Sequence, residues 1–185
     1  MIQKWTVLKQ EDVSPSPWMP VLRHTVQLPN NKVVDDYYFS LLGNVAIVMA
    51  VTTANNIVLV RQYKHGIGEV LLELPVGMQQ KHPTMEDCAL AELEEETGIR
   101  ATKEQLLSLG KIAGNPAKIN QVTYGFIIKS AVFNTTQKLD SNEDIELVTV
   151  TPRELLHMVA SGEIWVADTV AFIMKAQLLY PEVFV

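Results

Sequence analysis

The residue types best suited to chemistry in this chain are the acids of Glu92-Leu93-Glu94-Glu95-Glu96. On a helix, at 100° per residue, Glu92, Glu95 and Glu96 fall within about a third of the circumference. Met85, Ala89, Leu90 and Leu93 form the adjoining apolar stripe, which must face a core. The three carboxylates therefore stand at the edge of a buried face, where water screens them poorly. Like charges three and four residues apart each cost roughly a few tenths of a kcal/mol, and no Lys or Arg lies within the helix to relieve them. A hard divalent cation would: ligands that are all oxygen suit Mg²⁺ or Mn²⁺, which keep several waters and accept substrate phosphates. The structural alternative is a solvated acidic face with no ligand.

The flanking sequence predicts the elements that must hold this helix. Thr84-x-x-Asp87 is a capping pattern and Gly98 a C-terminal stop, so the helix spans 84–97. Before it, apolar runs at 45–51 and 57–63 read as strands buried on both faces, and 70–74 as a short strand closed by Pro75. After it, strands are expected near 106–112, 122–132 and 145–150. Thr151-Pro152-Arg153-Glu154 starts a helix that ends before Gly162, and a last helix over 167–179 stops before Pro181. Residues 1–44 form a β extension: 21–28 and 33–39 flank Pro29-Asn30-Asn31 as a hairpin. The order predicts an α/β sandwich around a mixed β-sheet over 45–185, with the small N-terminal β extension at 1–44.

Composition narrows the function. The chain has 185 residues, 48% hydrophobic and 19% charged, enough to bury roughly 70% of its unfolded surface. With 15 Lys plus Arg against 21 Asp plus Glu, the net charge is −6. That argues against holding nucleic acid or an anionic membrane by charge alone, but permits a small anionic substrate bridged by a cation. Cys88 is the only cysteine, so neither an intrachain disulfide nor a cysteine metal site is available. No signal-peptide pattern and no membrane-length apolar run occurs, and the expected setting is cytoplasmic. A G-x-S-x-G elbow and a P-loop are both missing, so acyl transfer and kinase chemistry have no support.

Gly77, Glu92, Leu93, Glu95, Glu96, Gly98 and Ile99 are spaced as in the Nudix box, and the segment resembles that loop–helix–loop signature of hydrolases acting on nucleoside diphosphates linked to another group. It departs from the signature at Pro83, where the family has Glu, and at Ala91, where it has Arg. Asp35-Asp36-Tyr37-Tyr38, Val58-Leu59-Val60-Arg61-Gln62-Tyr63, Leu72-Glu73-Leu74-Pro75-Val76-Gly77, Asn115-Pro116-Ala117 and the acids from Asp140 to Glu146 resemble the ADP-ribose and nucleotide-sugar pyrophosphatase branch.

The resemblance implies a Nudix-type α/β/α sandwich and a Mg²⁺ (or Mn²⁺) site made by Glu92, Glu95, Glu96 and the carbonyl of Val76. It implies a late-loop carboxylate as base, for which Glu143 is the candidate and Asp140 and Asp144 are rivals, with Glu95 also counted in the catalytic set. Arg61, Glu73 and Trp18 are the candidates for holding substrate. Arg61 has a structural alternative, an ion pair with Glu73, and Trp18, like Trp5, has the alternative of packing within the extension. The activity implied is cleavage of ADP-ribose or a related nucleotide sugar to a nucleoside monophosphate and a sugar phosphate, in a homodimer. The alternative is a catalytically weak nucleotide-sugar binding or sensor protein.

Overall fold

In the computed structural model of the chain, which describes residues 1–79 and 84–185, the protein forms two compact units. Pro83, one of the two departures from the box, lies outside the described residues. The first unit comprises Met1–Gly43 together with Ala113–Val122. Its three strands, β1 (Thr6–Asp12), β2 (Val21–Gln27) and β3 (Val33–Ser40), make an antiparallel meander in that order. The expected hairpin is the β2–β3 pair. Asn31, at φ 64°, supplies the left-handed turn residue, and Leu28 N–H donates to the Lys32 carbonyl at 2.8 Å. The added strand β1 was hidden because it lacks a buried face: all but one of its residues are exposed, whereas Leu22 and Val26 of the central strand are buried. The segment 113–122 is tied on by Ser40 N–H to the Lys118 carbonyl at 2.7 Å and by Tyr37 Oη to the Ala117 carbonyl at 2.7 Å.

The second unit, Asn44–Ile112 with Thr123–Val185, is built on a mixed sheet. Its elements are β4 (Val45–Thr52), β5 (Ile57–Lys64), β6 (Glu69–Glu73), β7 (Val76–Met78), α1 (Met85–Thr97), β8 (Leu107–Ile112), β9 (Thr123–Ala131), β10 (Ile145–Val150), α2 (Pro152–Ser161) and α3 (Ala167–Leu179). The strand order is β10-β5-β4-β9-β8, with β6 on β5 and β7 on β4. Only β4 and β9 run parallel; the remaining pairs are antiparallel. Residues 46–51 of β4 are buried without interruption, as a central strand covered on both faces requires.

Two apolar clusters lie on the two faces of this sheet. One packs Ile47, Met49, Ile57 and Leu59 against Leu155 of α2 and Phe172, Ile173 and Ala176 of α3. The other packs Ala46, Val48, Ala50 and Val58 against Cys88, Ala89 and Leu93 of α1. The unit is an α/β/α sandwich. Both capping signals hold: Thr84 Oγ1 accepts from Asp87 N–H at 3.1 Å, and Thr151 and Glu154 exchange a full capping box. Strand β7 is a further addition to the expected elements: beyond Pro75, whose carbonyl accepts Val48 N–H at 3.0 Å, the chain leaves β5 and pairs with β4.

Phe172 is fully buried between α3 and the sheet. Phe172→Ala is expected to lower unfolding free energy by about 3–5 kcal/mol, whereas Thr151→Ala should cost only about 1 kcal/mol. Urea titration of both, with unchanged denaturant slopes, checks the ranking.

Candidate active site

The acidic helix meets the sheet at Val76-Gly77. Glu96 is buried, and its Oε2 accepts the N–H of Val76 at 3.0 Å. One turn earlier, the half-buried Glu92 lays its carboxylate directly over Gly77: a Cβ added there would stand 1.9 Å from Glu92 Cδ. Glycine is required because the carboxylate occupies the place of a side chain. The backbone carrying these contacts is fixed from other directions too. Leu74 N–H donates to Thr169 Oγ1 of α3 at 3.2 Å, and Gln79 N–H donates to the Asn44 carbonyl at 2.8 Å.

Burial decides the electrostatics. Glu96 is pushed up to about 8, first by desolvation and then by the charges of Glu92 and Glu73, against the pull of the Val76 N–H. Glu92 is pushed up to about 7, again first by burial and then by Glu95, Glu143 and Asp140. The loop acids Glu143 and Asp140 are thus close enough to Glu92 to act on it. Glu95 is exposed. Cys88 packs as expected, buried, its thiol donating weakly to the Gly77 carbonyl at 3.7 Å and raised to about 11 by burial.

The fourth glutamate of the run behaves differently. Glu94 accepts a bidentate pair from Arg100 at 2.7 and 2.9 Å and a third bond from Lys138 at 3.1 Å. Arg100 first, and Lys138 second, hold its carboxyl down at about 2. Among the described residues no lysine or arginine is bonded to Glu92 or Glu95. Arg100 and Lys138 are spent on a glutamate that takes no part in the cluster.

The end of α1 receives the loop that follows β9. Gly98, at φ 72°, takes the left-handed conformation, and a Cβ there would meet the Thr135 carbonyl oxygen at 2.6 Å. Its own carbonyl accepts Asn134 N–H at 3.2 Å and Thr135 N–H at 3.0 Å, and Lys138 N–H donates to the Glu95 carbonyl at 2.9 Å. Gln137 Nε2 donates to the Glu96 carbonyl at 2.7 Å. The loop then turns at Asp140, whose N–H is capped by Glu143 Oε2 at 3.0 Å, while Glu143 N–H returns to the Asp140 carbonyl at 2.9 Å.

The residues expected to hold substrate are divided. Glu73 lies opposite Val60 on β6, buried, with Lys64 Nζ at 2.5 Å, and acts on Glu96. Burial raises its carboxyl despite the ammonium. Arg61 shares the strand face of Leu59 and Ile57, the α2 and α3 side, and pairs with Glu146 at 2.8 Å directly across from β10. The ion pair with Glu73 raised as its structural alternative is therefore not formed; strand alternation puts the two side chains on opposite faces. Trp18 is 91% exposed in the first unit. Sequence reasoning missed Lys64 and Gln137. Lys64 could have been found by period two, since Val58, Gln62 and Lys64 share one parity of β5; Gln137 had no local signal.

A divalent cation is compatible with what is present. One buried and one half-buried carboxylate, made of hard oxygen donors and raised by burial and by neighbours of like sign, would regain their charged form beside one. Among the described residues no group of three His, Cys, Asp or Glu side chains converges as it stands to hold a metal ion, so the fit rests on Glu92 and Glu96 at Val76-Gly77. In metal-free protein the same shifts set a pH dependence. Both groups keep protons in the folded state that an unfolded glutamate, at 4.5, has already released. Their stabilising contribution is complete below that value and is lost as pH rises through about 7 and about 8. In chelator, Tm should fall by roughly 5 °C or more between pH 5 and 8, and Glu96→Gln should flatten the curve, as scanning calorimetry can check.

Comparison with known proteins places the chain in a family. Residues 42–170 match the NUDIX domain, and residues 5–40 match the nucleoside diphosphate sugar hydrolase N-terminal domain. The chain is 32% identical over 154 residues to an ADP-ribose pyrophosphatase of Bacillus subtilis (strain 168), covering 83% of this chain and 82% of that one. It is 30% identical over 154 residues to a methanol dehydrogenase activator of Bacillus methanolicus, with the same coverage. A crystal structure of an ADP compounds hydrolase superposes with a TM-score of 0.84 over 100% of this chain and 99% of the other; at 20% identity that likeness speaks to the fold. The match over most of its length, on a box whose glutamates grip Val76-Gly77, makes this chain a member of the Nudix hydrolase family.

Proposed function

We propose that this protein is a Mg²⁺- or Mn²⁺-dependent pyrophosphohydrolase that cleaves ADP-ribose or a related nucleoside diphosphate sugar. The observation that carries the reading is the convergence at Val76-Gly77, where Glu96 holds the backbone and Glu92 fills the glycine's side-chain space. The N-terminal match to nucleoside diphosphate sugar hydrolases and the relationship to an ADP-ribose pyrophosphatase support the substrate class. Glu92, Glu96, Glu95 and the Val76 carbonyl would hold the cation, which supplies neutralisation of the diphosphate and a more acidic water.

The chain's own residues have the remaining tasks. Glu143 would accept the proton of the attacking water as its oxygen bonds to one phosphorus. The bond from that phosphorus to the bridging oxygen breaks, and the products are a nucleoside monophosphate and a sugar phosphate. Glu73, with Lys64 beside it, is the substrate-side pair nearest Glu96, whereas Arg61 stands on the other face of the sheet and serves β10 through Glu146. A homodimer formed through the first unit, on the exposed Trp5, Trp18 and Tyr38, is part of the proposal. A cytoplasmic setting belongs to the same proposal.

Phosphate-ester products from a panel of nucleotide sugars, with and without millimolar Mg²⁺, form the direct test. Turnover of at least one member only with metal is expected; binding of the panel without turnover would favour the sensor alternative, for which Pro83 and Ala91 are the sequence support. Millimolar Mg²⁺ or Mn²⁺ should also raise Tm by mass action, and Glu96→Gln should abolish the rise. Gly77→Ala should lose the metal response while costing less than about 1.5 kcal/mol of stability, because its methyl displaces only the end of Glu92. Light scattering should find two chains per particle.

A further inference from the structure

We propose that Gln137 is a positioning residue that holds the base-bearing loop against the acidic helix; the inference rests on the assignment of Glu143 above. The loop and the helix carry the same charge. From the loop, Glu143 and Asp140 both act on Glu92. Some attraction must hold them together without neutralising the carboxylates that the chemistry needs.

One ionic tie does this away from those carboxylates: Lys138 of the loop pairs with Glu94 of α1 at 3.1 Å. Arg100 converges on the same Glu94. The remaining ties are neutral and are aimed at the carbonyls that α1 leaves without intrahelical partners at its C-terminus. Lys138 N–H takes the Glu95 carbonyl, and Asn134 and Thr135 take that of Gly98. The Glu96 carbonyl goes to a side chain, the Gln137 amide, at 2.7 Å.

That amide does more than cap. Its Nε2 also reaches the Ile145 carbonyl, at a longer 3.4 Å. Ile145 is the first residue of β10, where the loop ends. One NH₂ group thus joins the backbone of the buried glutamate to the far end of the acidic loop, across the turn that presents Glu143. Glutamine is the type the position demands: it gives two donors and no charge, and a lysine or arginine there would compete for the carboxylates. Gln137→Met keeps the length and removes both donors.

Three measurements test this together. Hydrogen exchange should show the Glu143 amide, bonded to the Asp140 carbonyl, exchanging at least about tenfold faster in Gln137→Met than in wild type. On the nucleotide sugar turned over best, kcat should fall roughly 10–100-fold with KM changed less than about threefold. In a Glu143→Gln background the same substitution should cause no further loss of kcat, since the two act as one unit. Unchanged exchange at Glu143, wild-type kcat in Gln137→Met, or losses that multiply in the double variant would each overturn the proposal. If wild type hydrolyses no member of the panel while exchange still accelerates, the positioning stands and the assigned reaction fails.

Discussion

Two carboxylates that repel one another are folded against the same few atoms of backbone, and this constraint organises the second unit. Glu96 is held there by an N–H of the sheet and Glu92 by the vacancy above a glycine. Neither contact removes charge. Each fixes a side chain by geometry alone, at the expense of burying it among acids. A fold selected for stability would place a lysine at this point. This one sends its nearest cations to Glu94 and Glu73, beside the cluster rather than within it. The unfavourable energy left over is available to a ligand of opposite charge, which is the sense in which a binding site is prepared before it is filled.

The same logic explains why backbone groups, more than side chains, assemble the site. The Leu74–Gln79 stretch is pinned by Thr169, Glu96 and Asn44, and the loop after β9 is pinned to helix carbonyls. Backbone amides carry no net charge and cannot quench an acid. They can set its position to within a hydrogen-bond length. The clustered carboxylates and their supporting bonds are therefore separable here: Glu92 and Glu96 act on one another, and the ties are made by backbone groups.

Much of this was legible in the sequence because the signals are local. The capping residues Thr84 and Thr151, the stops at Gly98 and Gly162, and the uninterrupted apolar run of β4 each read out a rule that operates within a few residues. The box was legible through its resemblance to the Nudix signature over Gly77 to Ile99; helical spacing alone says only that three glutamates fall on one side. What could not be read depends on partners distant in the chain. Strand β7 follows a proline and exists only because β4 offers it a register. The partner of Arg61 is chosen by strand alternation across two pairings, which put Glu146 beside it and Glu73 on the opposite face. Gln137 sits in an irregular segment whose residue types give no period, and its role arises from a helix end some forty positions earlier.

The first unit is discontinuous in sequence, and that has a consequence for how the protein is made. Its last segment, residues 113–122, is separated from β3 by five strands and a helix of the other unit. At ~5–20 residues per second, a ribosome needs several seconds to reach it. Throughout that interval Ser40, whose N–H and carbonyl later meet Lys118 and Asn120, ends a strand with no neighbour on its outer edge. Unpaired edges recruit foreign strands. The nascent chain therefore passes through a stage in which the Ser40 end of its earliest-made sheet lacks these partners, and their arrival is timed by translation rather than by local folding speed.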